Sequence, residues 1–367
     1  MARPTSATIH ADALRHNLGV LRSRAPGSRV MAVVKADGYG HGLERVARAL
    51  ADADAFGVAA LSDAERLRAA GMTQPIVWLS GFNAPEDLAR LRSLAVETVV
   101  HDASQLAMLE QSEAGSSADA PIRCWLKIDT GMHRLGFAPE DVRGARARLA
   151  ALPGVADEIV LMTHFASSDA FPGSGEDDGQ TRAQIETFAA ATEGLPGPRS
   201  LANSAAVLGW PAAHGDWIRP GGALYGMSVV EGRPGGEFGL RPAMTLSTRL
   251  LAVKQVRRGE RIGYGAAWTC PEDMPVGVAA IGYGDGYPRH APAGTPVLVN
   301  GRPAQVVGRV SMDLMTLDLR AQPDASAGDR VVLWGDSLPV ETVAEAAGTI
   351  AYELTCSVTR RVGFFEA

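Results

Sequence analysis

A lysine that closes an apolar run is the first residue of chemical interest. Residues 30–34 (Val-Met-Ala-Val-Val) read as a buried strand, and Lys35 follows directly, ahead of a glycine-rich segment at 36–42. Burial at a strand end disfavours the ammonium form, and a neutral amine is a nucleophile toward aldehydes. The same position also suits a solvated lysine that merely ends a strand. Gly38, Gly40 and Gly42 permit close backbone approach to a bound group. Other apolar runs end in a similar way. Asp129–Arg134 follows Ile128, His164 follows Thr163, Asn203-Ser204 follows Ala202, and Arg219-Pro220-Gly221-Gly222 closes the last run. Asn203-Ser204 with Gly221-Gly222 offers a hydroxyl and backbone N–H donors to a phosphate. An ordinary helix cap and a tight turn fit these residues as well. His164 suits stacking on a ring or a satisfied strand end, and no Cys/His/Glu set accompanies it for zinc. Further on, Tyr264 and Tyr283 sit among glycines, a pattern that aromatic punctuation of β-turns also produces. Residues 309–315, centred on Ser311-Met312-Asp313, read as a strand.

The elements that must position these groups alternate. Short apolar runs at 30–34, 56–59, 76–79, 97–100, 122–128, 159–163, 200–202 and 217–219 give eight candidate strands. Helix-period segments at 43–50, 64–70, 86–94, 105–113, 140–152 and 181–191 separate them. Ser62 and Glu65 have capping-box spacing, and Pro85 and Pro139 suit first helical turns. Eight strand–helix repeats predict an α/β fold, a closed (β/α)8 TIM barrel over residues 10–238. Active sites of such barrels lie at the C-terminal strand ends, where the polar segments above fall. From 239 to 367 the pattern predicts a mainly β C-terminal domain. It has a long strand at Met244–Val256, a hairpin at 297–307 turning on Asn300-Gly301, a helix at 340–347 and a closing tail at 352–365. A first strand (residues 6–10) has no barrel partner and is expected in the second domain's sheet, so residues 1–9 are grouped with that domain. A helix at 12–24 carries Leu14, Leu18 and Leu21 on one stripe. The acidic, Gly/Ser-rich stretch 167–180 reads as a solvated loop without the calcium-loop pattern.

Composition narrows the function classes. The chain has 367 residues, 46% apolar and 21% charged, which excludes extended disorder. A net charge of −6 gives no overall pull toward nucleic acid or anionic lipid. No apolar run is long enough for a spanning helix, and the first residues lack a secretory pattern. Cys124, Cys270 and Cys356 fit neither a disulfide framework nor zinc spacing. A soluble cytoplasmic protein without a structural metal is the expectation.

Taken in order, these segments resemble alanine racemases, which are pyridoxal-phosphate enzymes. Residues 32–42 (Ala-Val-Val-Lys-Ala-Asp-Gly-Tyr-Gly-His-Gly) look like the cofactor-attachment segment of that family. The likeness continues through 126–136, Thr163-His164-Phe165, Asn203-Ser204, Arg219-Pro220-Gly221, Gly263-Tyr264-Gly265, 282–287 and Met312-Asp313. It covers essentially the whole chain and implies a (β/α)8 barrel plus a β domain. It further implies that Lys35 carries pyridoxal 5'-phosphate and is one catalytic base, serving the D-alanine Cα proton. Tyr264, supplied by the partner subunit of a homodimer, is the base for L-alanine and has to work as a phenolate or near-phenolate. Arg219 donates to the pyridine nitrogen, with His164 packed near it and the ring. Arg134 reaches the cofactor hydroxyl and the substrate carboxylate. Tyr39, Ser204, Gly221 and Tyr352 hold the phosphate, with Asn203 nearby. Met312 and Tyr283 come from the partner and line the substrate side. Lys127 matches a lysine that is carbamylated in many members. Two departures stand out: Gly222 replaces a larger apolar residue common in the family, and Ser311 replaces a cysteine found in some members. The competing readings are a barrel decarboxylase of basic amino acids, against which Arg219 and Tyr264 argue, and a non-catalytic cofactor carrier, which needs no long β domain.

Overall fold

The computed structural model describes residues 4–113, 121–172, 178–228, 230 and 232–367. Eight parallel strands follow one another round a barrel: β2 (Arg29–Val33), β3 (Ala55–Val58), β4 (Ile76–Trp78), β5 (Val96–Val100), β6 (Cys124–Lys127), β7 (Val160–Met162), β8 (Arg199–Ser200) and β9 (Trp217–Ile218). Each pairs with the next up to β8, and β9 returns to β2 with Arg29 opposite Trp217. Between β8 and β9 the ring is joined by two backbone bonds, Asp216 N to Arg199 O and Arg219 N to Ala202 O, both 2.9 Å. These last two strands span only two residues each. Period-2 alternation has no room to show itself there, and the sequence pattern is correspondingly weak. Helices Leu43–Ala49, Leu61–Ala69, Glu86–Ser93, Ala103–Glu113, Val142–Ala150, Gly179–Thr192 and Ser204–Gly209 fill the seven connections. The gap between last and first strands is covered by Ala11–Arg24, whose buried Leu14, Leu18 and Leu21 face inward. The eighth helix thus comes from before the first barrel strand.

The barrel interior is packed, as the inward side chains of alternate strand positions dictate. Met31, Ala55, Val77, Val99, Trp125, Val160, Met162 and Trp217 form it. Trp125 and Trp217 meet edge to face at 5.5 Å, and Trp125 Nε1 donates to Glu97 Oε2 at 2.7 Å. This filled interior confines any site to the rim.

A second sheet holds β1 (Ser6–Ile9), β10 (Met244–Val256), β13 (Met274–Ala279), β14 (Pro296–Val299), β15 (Arg302–Val307), β16 (Met315–Asp318), β17 (Arg330–Trp334) and β18 (Gly363–Glu366). β1 lies antiparallel to β10 and parallel to β18. The β14–β15 hairpin turns on Asn300 and Gly301, both with positive φ, as a type I′ turn requires. A small hairpin, β11 (Arg261–Ile262) with β12 (Trp268–Thr269), projects from this sheet. Among the described residues no helix is long and apolar enough to cross a membrane.

Three local expectations are corrected. The helix at 61–69 begins on buried Leu61 after extended Ala60, so Ser62 is already inside it and caps nothing. Residues 309–314 are a turn, closed by Ser311 N donating to Leu314 O at 2.9 Å, and the strand starts only at Met315. The stretch 167–180 is not simply solvated. Ser168 is buried and donates to Asn203 Oδ1 at 2.9 Å, and the Phe171 ring meets Phe238. Residues 173–177 of that stretch, including Glu176 and Asp177, lie outside the described residues.

Candidate functional site

The C-terminal strand ends surround one cavity of about 1390 Å³. Lys35, Tyr39, Lys127, Arg134 and His164 line one part of it, and Asn203, Ser204, Arg219, Gly221, Gly222 and Tyr352 another. Eleven residues singled out from sequence, scattered between 35 and 352, therefore share one cavity.

Lys35 stands where β2 gives way to a left-handed turn. Ala36, Asp37, Gly38 and Tyr39 all have φ between 53 and 63°. For non-glycine residues this costs about 1–2 kcal/mol each, so neighbours must hold it. Gly38 N donates to Val34 O and Gly42 N to Asp37 O (2.9 and 2.8 Å). Asp37 Oδ1 accepts from Leu43 N at 3.1 Å and from Arg66 Nη2 at 2.7 Å. The close approach at Gly40 is to the chain's own Thr355 carbonyl rather than to a ligand. The turn carries Tyr39 back against Tyr225 and Tyr352, with ring centroids 4.8 and 5.6 Å away.

Cations crowd this cavity. Burial, then the Arg134 charge, lowers the Lys35 pKa, against a smaller opposing effect of Cys356. Burial, then Arg219, Arg134 and Lys35, pulls Lys127 down to about 8. His164 is held well below its usual value by burial and by the same cations, so its imidazole stays neutral. Arg219 is fully enclosed, and burial lowers it to about 10. Its Nη1 donates to Ser200 Oγ at 2.7 Å, and its Nη2 to the carbonyls of Thr163 and Leu201 at 2.6 and 3.3 Å. These bonds fix the guanidinium plane. Arg134 makes no ion pair among the described residues. Such a set favours an anionic occupant.

The opposite wall is a glycine cradle. Ser204 Oγ accepts from Gly221 N at 2.8 Å and Ala223 N at 3.3 Å. A Cβ added at Gly221 would strike the Tyr39 hydroxyl, and one at Gly222 the Tyr352 hydroxyl. The two phenols therefore converge on bare backbone, and burial keeps both protonated as donors. Gly222, the departure noted in sequence, makes the space that the Tyr352 ring occupies. Asn203 Oδ1 accepts from Ala206 N at 3.0 Å, the ordinary cap of helix Ser204–Gly209.

Tyr264, Tyr283 and Met312 are elsewhere. They stand exposed on three turns of the β domain, at 69%, 38% and 52% accessibility, and none lines the cavity of its own chain. The Tyr283 and Met312 turns are joined by Tyr283 N to Ser311 O and Gly284 N to Met312 O (3.0 and 2.9 Å). Sequence reasoning missed Ser200, Tyr225 and Cys356. Cys356 lines the cavity one helical turn after Tyr352, so i,i+4 spacing was the available signal. Tyr225, which donates to Val33 O at 3.2 Å, gave none.

Known proteins agree with this geometry. The family model for the alanine racemase N-terminal domain matches residues 9–229, and that for its C-terminal domain residues 243–365. An alanine racemase of Nitrosococcus oceani is 54% identical over 359 residues, 97% of each chain. One from Shewanella baltica is 53% identical over 356 residues, again 97% of each. The crystal structure of biosynthetic alanine racemase from Pseudomonas aeruginosa superposes with a TM-score of 0.94 at 43% identity, covering 100% of this chain and 99% of that one. A matching barrel, a matching β domain and relatives above half identity along nearly the full length place the chain in the alanine racemase family.

Proposed function

We propose that this isomerase interconverts L- and D-alanine with pyridoxal 5'-phosphate held on Lys35, by two bases on opposite faces of the substrate. The observation that carries the reading is the Lys35 amine, open to the cavity with its pKa lowered by desolvation, sharing that cavity with two phenols aimed at bare glycine backbone. The donor set suits the cofactor. Tyr39, Ser204, Gly221 and Tyr352 would hold the phosphate, with Asn203 fixing the helix that carries Ser204. His164, neutral, would pack toward the ring. The cofactor, when bound, withdraws electron density from the amino acid Cα.

The chain's own residues do the rest. Desolvation and the Arg134 charge favour the neutral form of the Lys35 amine, which takes or returns a proton on one face. Tyr264 of the partner subunit offers its phenol Oη on the other, in a two-fold homodimer whose sites are built from both chains. Arg134 orients the substrate carboxylate. Arg219, still a cation with a pKa of about 10, would donate to the ring nitrogen without surrendering its proton. Such a partner would limit charge delocalisation over the ring and so disfavour protonation at the wrong carbon. Tyr283 and Met312 of the partner, with Tyr352, leave room for a small side chain, which favours alanine over serine. The Lys127 amine attacks CO2 and releases a proton. The resulting carbamate, an anion, neutralises part of the cation cluster and steadies Arg134. In the cytoplasm the product serves peptidoglycan precursor synthesis, or the enzyme serves alanine breakdown.

The test is a visible spectrum of the purified protein, followed by a chiral assay from each enantiomer. The reading predicts a cofactor absorbance band and drift of either enantiomer to an equal mixture. A protein without the band, or one that leaves optical purity unchanged, contradicts it. Tyr264→Phe separates enzyme from carrier: an enzyme loses racemisation and keeps its absorbance.

A further inference from the structure

One side chain from the C-terminal tail fastens both turns that present Tyr283 and Met312. Arg361 Nε lies 3.4 Å from Asp285 Oδ1, and its Nη2 pairs with Asp313 Oδ1. Asp285 is fully buried, and its Oδ2 accepts from Gly282 N at 3.1 Å, closing the turn that carries Tyr283. Asp313 directly follows Met312. The guanidinium thus spans two carboxylates, one behind each exposed side chain. The tail adds Thr359 Oγ1 to Gly284 O at 3.0 Å and Thr359 N to Asp285 O at 3.1 Å. A Cβ at Gly284 would strike Arg361 Nη1 and come within 3.0 Å of Met312 O. The arginine therefore lies flat on the joined turns, where no side chain at 284 fits.

We propose that Arg361 is a positioning residue that acts in trans. It holds Tyr283 and Met312 in the geometry that completes the partner subunit's site, and it does not line the cavity of its own chain. This rests on the reading that the two turns face the partner. A planar fork is needed because two carboxylates on separate turns are bridged by different nitrogens, which an ammonium group reproduces poorly.

Removing the guanidinium outright also takes a positive charge away from the fully buried Asp285, so the informative variants are Arg361→Lys and Asp313→Asn. Each is expected to raise the KM for alanine roughly 3- to 10-fold, the worth of about one hydrogen bond, with kcat little changed. Cofactor affinity, read by absorbance titration, stays at the wild-type value. The decisive step mixes Arg361→Lys chains with Lys35→Ala chains and isolates hybrids through two different tags. In a hybrid, the one site holding Lys35 is completed by the chain with intact Arg361. A wild-type KM in the hybrid supports action in trans, and a KM that stays raised overturns it. An unchanged KM in both homodimeric variants overturns the clamp while leaving the shared site intact. If Lys35→Ala mixed with Tyr264→Phe recovers no activity, the shared-site reading itself falls, and this inference with it.

Discussion

Replacing Gly222 by alanine crowds Tyr352 first, since the three nearest atoms to the added Cβ all belong to that side chain. The backbone at 222 lies outside the left-handed region, so an alanine adopts it without strain. Its methyl group, however, would overlap the Tyr352 hydroxyl and stand 2.7 Å from Cζ and 2.8 Å from Cε1. Ordinary carbon contacts are about 3.5–4.0 Å, so the ring must retreat by roughly 1 Å. Tyr39, with its centroid 5.6 Å from that of Tyr352, flanks it on one side. Overpacking of this kind costs about 1–3 kcal/mol. If the loss falls on the phosphate contact, affinity for pyridoxal phosphate drops roughly 5- to 150-fold. The assay is absorbance titration of cofactor-free protein, run in parallel with pyridoxal lacking its phosphate. Pyridoxal affinity is expected to change far less. In a Tyr352→Ala background the ring is gone, and Gly222→Ala should then cost nothing further. An equal loss in both backgrounds, or no loss in the parent, refutes the reasoning.

Arg219→Glu puts a proton-sharing carboxyl where a fixed cation stands, so pyridoxamine phosphate accumulates during prolonged turnover; chromatography showing no rise counts against the ring-nitrogen argument. Lys127 modification is expected to follow its depressed pKa. At fixed CO2 pressure the neutral amine, and with it the carbamate signal from labelled bicarbonate in ¹³C NMR, grows as pH rises through about 8. A signal that survives in Lys127→Ala contradicts the assignment. Trp125→Ala empties the barrel interior and strips Glu97 of a donor, so urea denaturation should show a loss of about 3–5 kcal/mol; a loss below about 1 kcal/mol would mean the interior is not packed as described.

The barrel was legible because its central strands are buried on all sides and read as continuous apolar runs. The two-residue strands at 199–200 and 217–218 are held mainly by neighbours, and local pattern says little about such strands. The long strand Met244–Val256 and the helix Val340–Ala347 were visible from alternation and periodicity alone. The turn at 309–314 misled because Val310, Met312 and Leu314 alternate like a strand, although Met312 and Leu314 are exposed. At the site, Lys35 and Arg219 declared themselves by type and place. Ser200, which accepts from Arg219, is an ordinary small strand residue until its partner is known. The left-handed turn after Lys35 was hinted at by its glycines, but three of its residues are not glycine, and only tertiary packing holds them there.

The central claim is that each site takes one base from each chain. Lys35→Ala and Tyr264→Phe chains, each inactive alone, can be co-expressed in equal amounts and assayed for racemisation. Half of the dimers are then hybrids with one complete site, and roughly a quarter of wild-type activity is predicted to return. A mixture as inactive as its two components would show that both bases must come from a single chain, and the account would fail.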